Sequence, residues 1–336
     1  MKGTPVSNAE ASTETVPAIV DGQILPRVDP ASRTEVKFTS DGLILVGHLY
    51  RPPSVLADQP IAALAMAGPM TSVKEETLPH YAVELAKAGF ATLTFDNRNF
   101  GASQGSRPQH LSTSEQVEDL KSAISYLASR PDVDGERIGL ACVCLGAGYG
   151  LEVAAMDRRV KAVALVGGGY NLTDTYLGFL GAVGFAGYMD MLNASRQSVY
   201  ESGAEQFMSA VAGPPDYAPS AMPVREAFEY YSRAHDTEAP AWQNRLTMAS
   251  MEQIIGWNVI GHAHLVTQPL MVVHGTTDAL LSPIYAQQVH DEASSTTKEL
   301  VWITTHNHVE LYDQAPYVPQ ALAAVVPFLS EHLIGG

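Results

Sequence analysis

Polar and apolar residues alternate in two rhythms along this chain, and the switches between them outline its elements. Glu35-Val36-Lys37-Phe38-Thr39 has the two-residue period of a half-buried strand. Ser40-Asp41-Gly42 is a turn signal and Leu43 to Tyr50 resumes the strand, which predicts an antiparallel hairpin with an edge strand. A short apolar run, Ile61 to Met66, comes next. Leu78, Tyr81, Ala82, Leu85 and Ala86 then fall at helical spacing and predict a helix over 75–88, with Pro79 in its first turns, where a missing N–H is tolerated. Phe90 to Phe95 is another strand, 96–108 a loop rich in Asn, Gly and Ser, and Val117, Leu120, Ile124 and Leu127 share one face of a helix over 114–129. Further strands are expected at 137–141, 160–166, 270–273 and 299–303, with helices at 283–293 and 318–333 and a Gly/Ala-rich helix after Ala141. Nearly continuous apolar strands alternating with helices predict a mostly parallel sheet covered on both faces.

The strand signal lapses between about Tyr170 and Thr267. Tyr176-Leu177-Gly178-Phe179-Leu180, Met189-Asp190-Met191-Leu192 and Phe228-Glu229-Tyr230-Tyr231, broken by Gly213-Pro214-Pro215 and Pro219, read as a helical insertion. The predicted organisation is a polar leader over 1–33, partly disordered at its start, an α/β core over 34–169 and 268–336, and a helical cap over 170–267.

Composition narrows the function classes. The 336 residues carry 20 Lys plus Arg against 36 Asp plus Glu, a net charge of −16, which disfavours nucleic acid and anionic membrane surfaces. No stretch has the length and apolarity of a membrane span, and 1–20 lacks the apolar run of a signal peptide, so a cytoplasmic protein is expected. The two cysteines, Cys142 and Cys144, are too close for an unstrained disulfide and have no finger-like ligand spacing around them. Neither a metal nor a cofactor is expected.

Candidate chemistry concentrates in Ile138-Gly139-Leu140-Ala141-Cys142-Val143-Cys144-Leu145-Gly146-Ala147-Gly148. A strand that turns sharply into a helix strains the residue at its tip and needs small residues two before and two after. Cys142 and Gly146 meet that need when Cys144 is the tip, whereas a tip at Cys142 would put Leu140 in a small position. Serine is absent from Ile138 to Gly150. A helix N-terminus favours a thiolate there, and the Leu145 N–H would face the same space as an oxyanion donor. The alternative is a buried structural cysteine.

These residues resemble the α/β-hydrolase superfamily over about 35–336, and within it the dienelactone-hydrolase-like and polyketide-acyltransferase-like group. The matching segments are Val73-Lys74-Glu75-Glu76, Phe95-Asp96 with Gly101-Ala102-Ser103-Gln104-Gly105, His274-Gly275-Thr276-Thr277-Asp278 and His308-Val309-Glu310-Leu311-Tyr312-Asp313. The resemblance implies a nucleophile–acid–histidine order and assigns the acid to Asp278 and the histidine to His308. It also implies a second oxyanion donor in Ala67-Gly68-Pro69-Met70, for which the Met70 N–H is the choice because Pro69 has none. Gly68 stands where relatives commonly carry a histidine, so the bracing of that loop is open. His306 competes with His308, Asp278 could be a solvated loop carboxylate, and Lys74 reads as surface charge. His274 reads as structural, and His262 and His264 as exposed or packing residues.

The expected function is acyl transfer through an acyl-cysteine, with a thioester, ester or lactone as substrate and water as the default acceptor. The substrate is expected to be a small molecule or carrier-bound, and homodimer formation is left open. A non-hydrolytic acyltransferase, cyclase or lyase of natural-product biosynthesis is the second possibility. A ligand-binding protein on the same fold is the third.

Overall fold

A computed structural model describes residues 22–53, 59–214 and 219–335. The expected disorder at the start of the leader falls on 1–21, outside the described residues. The chain opens with β1 (Gln23–Ile24), then β2 (Arg33–Ser40), β3 (Leu43–Tyr50) and β4 (Ile61–Ala65), followed by α1 (Leu78–Lys87), β5 (Ala91–Phe95) and α2 (Thr113–Ala128). The centre comprises β6 (Val133–Val143), α3 (Leu145–Met156), β7 (Val160–Val166) and α4 (Leu172–Ser202). After these come β8 (Phe207–Val211), β9 (Ser220–Met222), α5 (Arg225–Thr237), β10 (Leu246–Thr247) and α6 (Met248–Ile255). The chain finishes with β11 (Leu270–Gly275), α7 (Pro283–Glu292), β12 (Lys298–Ile303), α8 (Glu310–Asp313), β13 (Gln314–Ala315) and α9 (Tyr317–Leu333).

Eight strands form the central sheet in the order β12-β11-β7-β6-β4-β5-β3-β2. The β2–β3 hairpin is antiparallel, as is the β3–β5 pair, and the other neighbours run parallel. Helices α2, α3 and α7 cover one face and α1 and α9 the other. The strands between them are buried on both sides over most of their length, which explains their runs of Ala, Val, Leu and Ile. This is the α/β-hydrolase fold.

Three differences from the sequence pattern have local causes. Helix α1 starts at Leu78, three residues later than its periodicity suggests, because Thr77 adopts φ 52°. Before it, Val73 to Glu76 forms a turn in which the Glu76 carboxylate accepts the Val73 N–H at 2.8 Å. The segment expected to be a purely helical cap also holds a three-stranded sheet, β10-β8-β9. Its strands span only two to five residues and draw on Ser, Ala and Met, too short and too neutral to show a period. Within the leader, β1 pairs with β13, so this stretch is tied to the C-terminal end of the core.

Candidate active site

Four loops leave the C-terminal ends of β4, β6, β11 and β12, the edge where ligands bind in open parallel sheets. Cys144 occupies the single-residue bend between β6 and α3, with φ 58° and ψ −128°, a left-handed conformation unusual for a side-chain-bearing residue. Its N–H donates to the Val166 carbonyl at 2.9 Å, while its own carbonyl accepts the N–H groups of Ala147 and Gly169. These contacts over-determine the bend and hold the strain in place. Gly146 must be glycine: a Cβ there would lie 2.3 Å from the Ala67 carbonyl oxygen. The Cys142 sulfur is accommodated because Gly150 opposes it, where even a methyl carbon would come to 3.0 Å.

The structure brings together the three candidate side chains. His308, from the loop after β12, donates its Nδ1 proton to Asp278 Oδ2 at 2.5 Å, and both side chains are buried. Asp278, from the loop after β11, is fixed through Oδ1 by the N–H groups of Leu280 and Leu281 at 2.9 and 2.7 Å. The imidazole reaches the Cys144 thiol on its other side. Burial opposes charge at all three groups, yet the net effect at each is toward the ionised form. Burial disfavours the Cys144 thiolate, but the His308 charge and hydrogen bonds from His308, Tyr312 and the Leu145 N–H outweigh it and lower its pKa. His308 is raised to about 10, the Asp278 and Cys144 charges overcoming desolvation. Asp278 is lowered, its burial offset first by His308. The electrostatics at this cluster thus favour the ionised forms of Cys144, His308 and Asp278 over what burial alone would give.

Cys142, two residues away, has no such partners, and burial raises it to about 12. His306 turns from the site and contacts Glu310 and the Tyr317 hydroxyl, each at 3.1 Å. His274 lies buried with Nε2 4.0 Å from Asp278 Oδ2, under the acid rather than beside the sulfur. His262 pairs with Glu152 across the surface of α3, and the His264 carbonyl accepts the Ser294 hydroxyl. Among the described residues no group of three or more His, Cys, Asp or Glu side chains is arranged to hold a metal ion. Among them, too, no helix is long and apolar enough to cross a membrane.

Opposite the sulfur, the loop after β4 carries Met70 beside Cys144 and Leu145 in the wall of one cleft. This cleft is narrow, with a volume of about 20 Å³, and is lined also by Leu172, Tyr176, Phe179 and Met222. The bracing of the loop comes from the cap. The Tyr231 hydroxyl of α5 donates to the Met70 carbonyl at 2.7 Å, and the Trp242 indole N–H donates to the Thr71 hydroxyl at 3.3 Å. Tyr231 and Trp242 stack on each other at 5.1 Å. Beneath the loop lies Lys74, and here the surface expectation is wrong. Lys74 is buried, with its ammonium 2.9 Å from Asp96 and 3.0 Å from Glu75, and its N–H donates to Asp96 at 2.7 Å. A solvated lysine and one satisfied by carboxylates from a distant strand end look alike locally; only the fold distinguishes them.

Tyr312, within the run His308 to Asp313, joins the cluster at His308 without having been expected to. Its hydroxyl lies 3.0 Å from His308 Nε2 and is near enough to Cys144 to influence its ionisation. The short His308-to-Tyr312 spacing was the available signal, since the turn at His308 and Val309 leads directly into α8, which carries Tyr312.

The class follows from this fold and from a second observation. Residues 75–315 match the family model described as serine aminopeptidase, S33, and the chain belongs to that α/β-hydrolase family. It is 30% identical to an uncharacterized protein of Escherichia coli K12 over 89% of this chain and 99% of that one. A polyketide transferase of Aspergillus fumigatus is 26% identical over 90% of this chain and 99% of its own length. A thiohydrolase of Aspergillus aculeatus is 37% identical over 40% of this chain and 41% of its own. Among solved structures, an α/β-hydrolase of Penicillium sp. sh18 superposes with a TM-score of 0.74 at 22% identity, covering 90% of this chain and 99% of that one. Several relatives of this chain thus carry enzyme names.

Proposed function

We propose that the protein is an acyl-transfer enzyme that works through an acyl-cysteine on Cys144. The observation that carries this is the contact chain Asp278–His308–Cys144, with the sulfur at the strained tip of the β6–α3 bend. In this proposal the Cys144 thiolate attacks the carbonyl of a thioester, ester or lactone, and a C–S bond forms. The oxyanion is held by the N–H groups of Met70 and Leu145. On collapse the bond to the leaving group breaks, and His308 gives that group its Nε2 proton. Asp278 orients the imidazole and stays ionised throughout. Water, deprotonated by His308, then attacks the acyl-cysteine and releases the acid. A thiolate needs less help from its base than a serine alkoxide, which favours activated acyl groups over peptides. Among the relatives, the name thiohydrolase is consistent with a thioester substrate. A cytoplasmic setting suits two reduced cysteines.

A second possibility, a non-hydrolytic acceptor, is favoured by the cleft itself. Its side chains include Leu172, Tyr176, Phe179, Met222, Leu280 and Leu281, none of them charged, a wall that excludes water from the intermediate. The polyketide transferase among the relatives is in keeping with it. Intact-protein mass spectrometry after exposure to acyl thioesters and lactones tests the core proposal. Wild type should gain one acyl group and Cys144→Ala none; equal loading of both would overturn it. Adding amine or alcohol acceptors then separates the two fates, and free acid as the sole product would dismiss the second.

A further inference from the structure

Tyr312 lies beside His308 and Cys144, and the triad does not account for it. Its phenol is fully buried, lies 3.0 Å from His308 Nε2 and is near enough to Cys144 for each to influence the other's ionisation, so it forms a cluster with both groups. The residue is also held firmly. Its ring meets Tyr230 edge-on at 4.9 Å and His308 at 5.1 Å. The neighbouring Asp313 carboxylate pairs with Arg233 of α5 at 2.7 Å. A hydroxyl fixed this well costs little further entropy when it hydrogen-bonds a reacting atom.

We infer that Tyr312 is a fourth catalytic group, whose hydroxyl donates a hydrogen bond to the Cys144 thiolate and accepts one from the Nε2–H of the His308 imidazolium, with no proton transferred. The inference rests on Cys144 being the nucleophile. A thiolate in contact with an imidazolium can collapse to the neutral thiol and imidazole by passing one proton from nitrogen to sulfur. A phenol that donates to sulfur and accepts from nitrogen strengthens both hydrogen bonds only while the charges are apart. It therefore holds the charge-separated state without carrying charge itself, and burial pushes its own ionisation well out of range. When sulfur attacks the carbonyl, the donor is released at the point where the leaving group departs.

The test is the rate of inactivation by iodoacetamide as a function of pH, in wild type, Tyr312→Phe and Cys144→Ala. Tyr312→Phe keeps the ring that packs on Tyr230. Its inactivation midpoint should move to higher pH, with the rate below the midpoint falling about tenfold, as expected for loss of one charge-assisted hydrogen bond. The plateau at high pH should match wild type. A profile superimposable on wild type would refute the role of Tyr312, and so would a lowered melting temperature with an unmoved midpoint. Labelling of Cys144→Ala at the wild-type rate would instead remove the nucleophile, so the two failures are distinguishable. Should Tyr312→Phe not fold, wild type produced with 3-fluorotyrosine keeps every hydroxyl and makes each a stronger donor. Its midpoint should then move to lower pH, and an unmoved one would overturn the inference.

Discussion

At the scale of single residues, two cysteines two positions apart live in opposite environments. Cys144 is surrounded by His308, Tyr312 and the Leu145 N–H, while Cys142 faces Gly150 and is pushed up to about 12 by burial. Iodoacetamide at neutral pH should therefore add a single label to the native protein, and peptide mapping should find it on Cys144. A label on Cys142 would contradict this picture. Asp278→Asn removes the carboxylate that, against burial, raises His308. The imidazole then loses its proton at lower pH and the thiolate loses its counter-charge. Alkylation at neutral pH should fall about tenfold or more, in line with a pKa change of a unit or so.

At the scale of elements, α5 and the Lys74 turn brace the loop that carries Met70. Tyr231→Phe leaves the Met70 carbonyl without its hydroxyl donor, at a cost of about 1–3 kcal/mol for an unsatisfied buried acceptor. Acylation should slow about tenfold or more, while alkylation of Cys144, which needs no oxyanion donor, should keep its rate. Asp96→Asn leaves Lys74 charged and buried against Glu75 alone. Chemical denaturation should show a loss of about 3 kcal/mol, the typical consequence of breaking a buried pair.

What the sequence made legible follows the same division. The β6–α3 bend was readable because steric demands at Cys142, Cys144 and Gly146 are local and leave a pattern. The parallel strands were readable because burial on both faces leaves long apolar runs. The burial of Lys74, the Tyr231 brace and the approach of Tyr312 to Cys144 depend on partners 22, 161 and 168 positions away, and such pairings write nothing into either local stretch. The small cap sheet was hidden by its brevity, since two to five residues cannot establish a period.

At the scale of the whole molecule, the buried charges link stability to pH. His308 has a folded pKa near 10 against an ordinary value of 6.5, so its contribution is full below 6.5 and is lost as pH rises through about 10. Asp278 is lowered from 3.8, so its contribution is present above that value and disappears as pH falls through the folded one. Cys144→Ala takes away one of the charges that raise His308. Its melting temperature should begin to decline at lower pH on the alkaline side than that of wild type, and coincident alkaline limbs would show that the sulfur carries no charge.

Helix α5 reaches two separate parts of the core at once, through Tyr231 to the Met70 loop and through Tyr230 and Arg233 to the turn bearing Tyr312 and Asp313. Those two loops come from opposite ends of the chain, yet a single rigid rod supports both. Damage to one support shifts the other, so Tyr231→Phe combined with Arg233→Met should depart from the sum of the two single losses. The spacing between the Met70 loop and the Tyr312 turn is thus fixed by one element that belongs to neither.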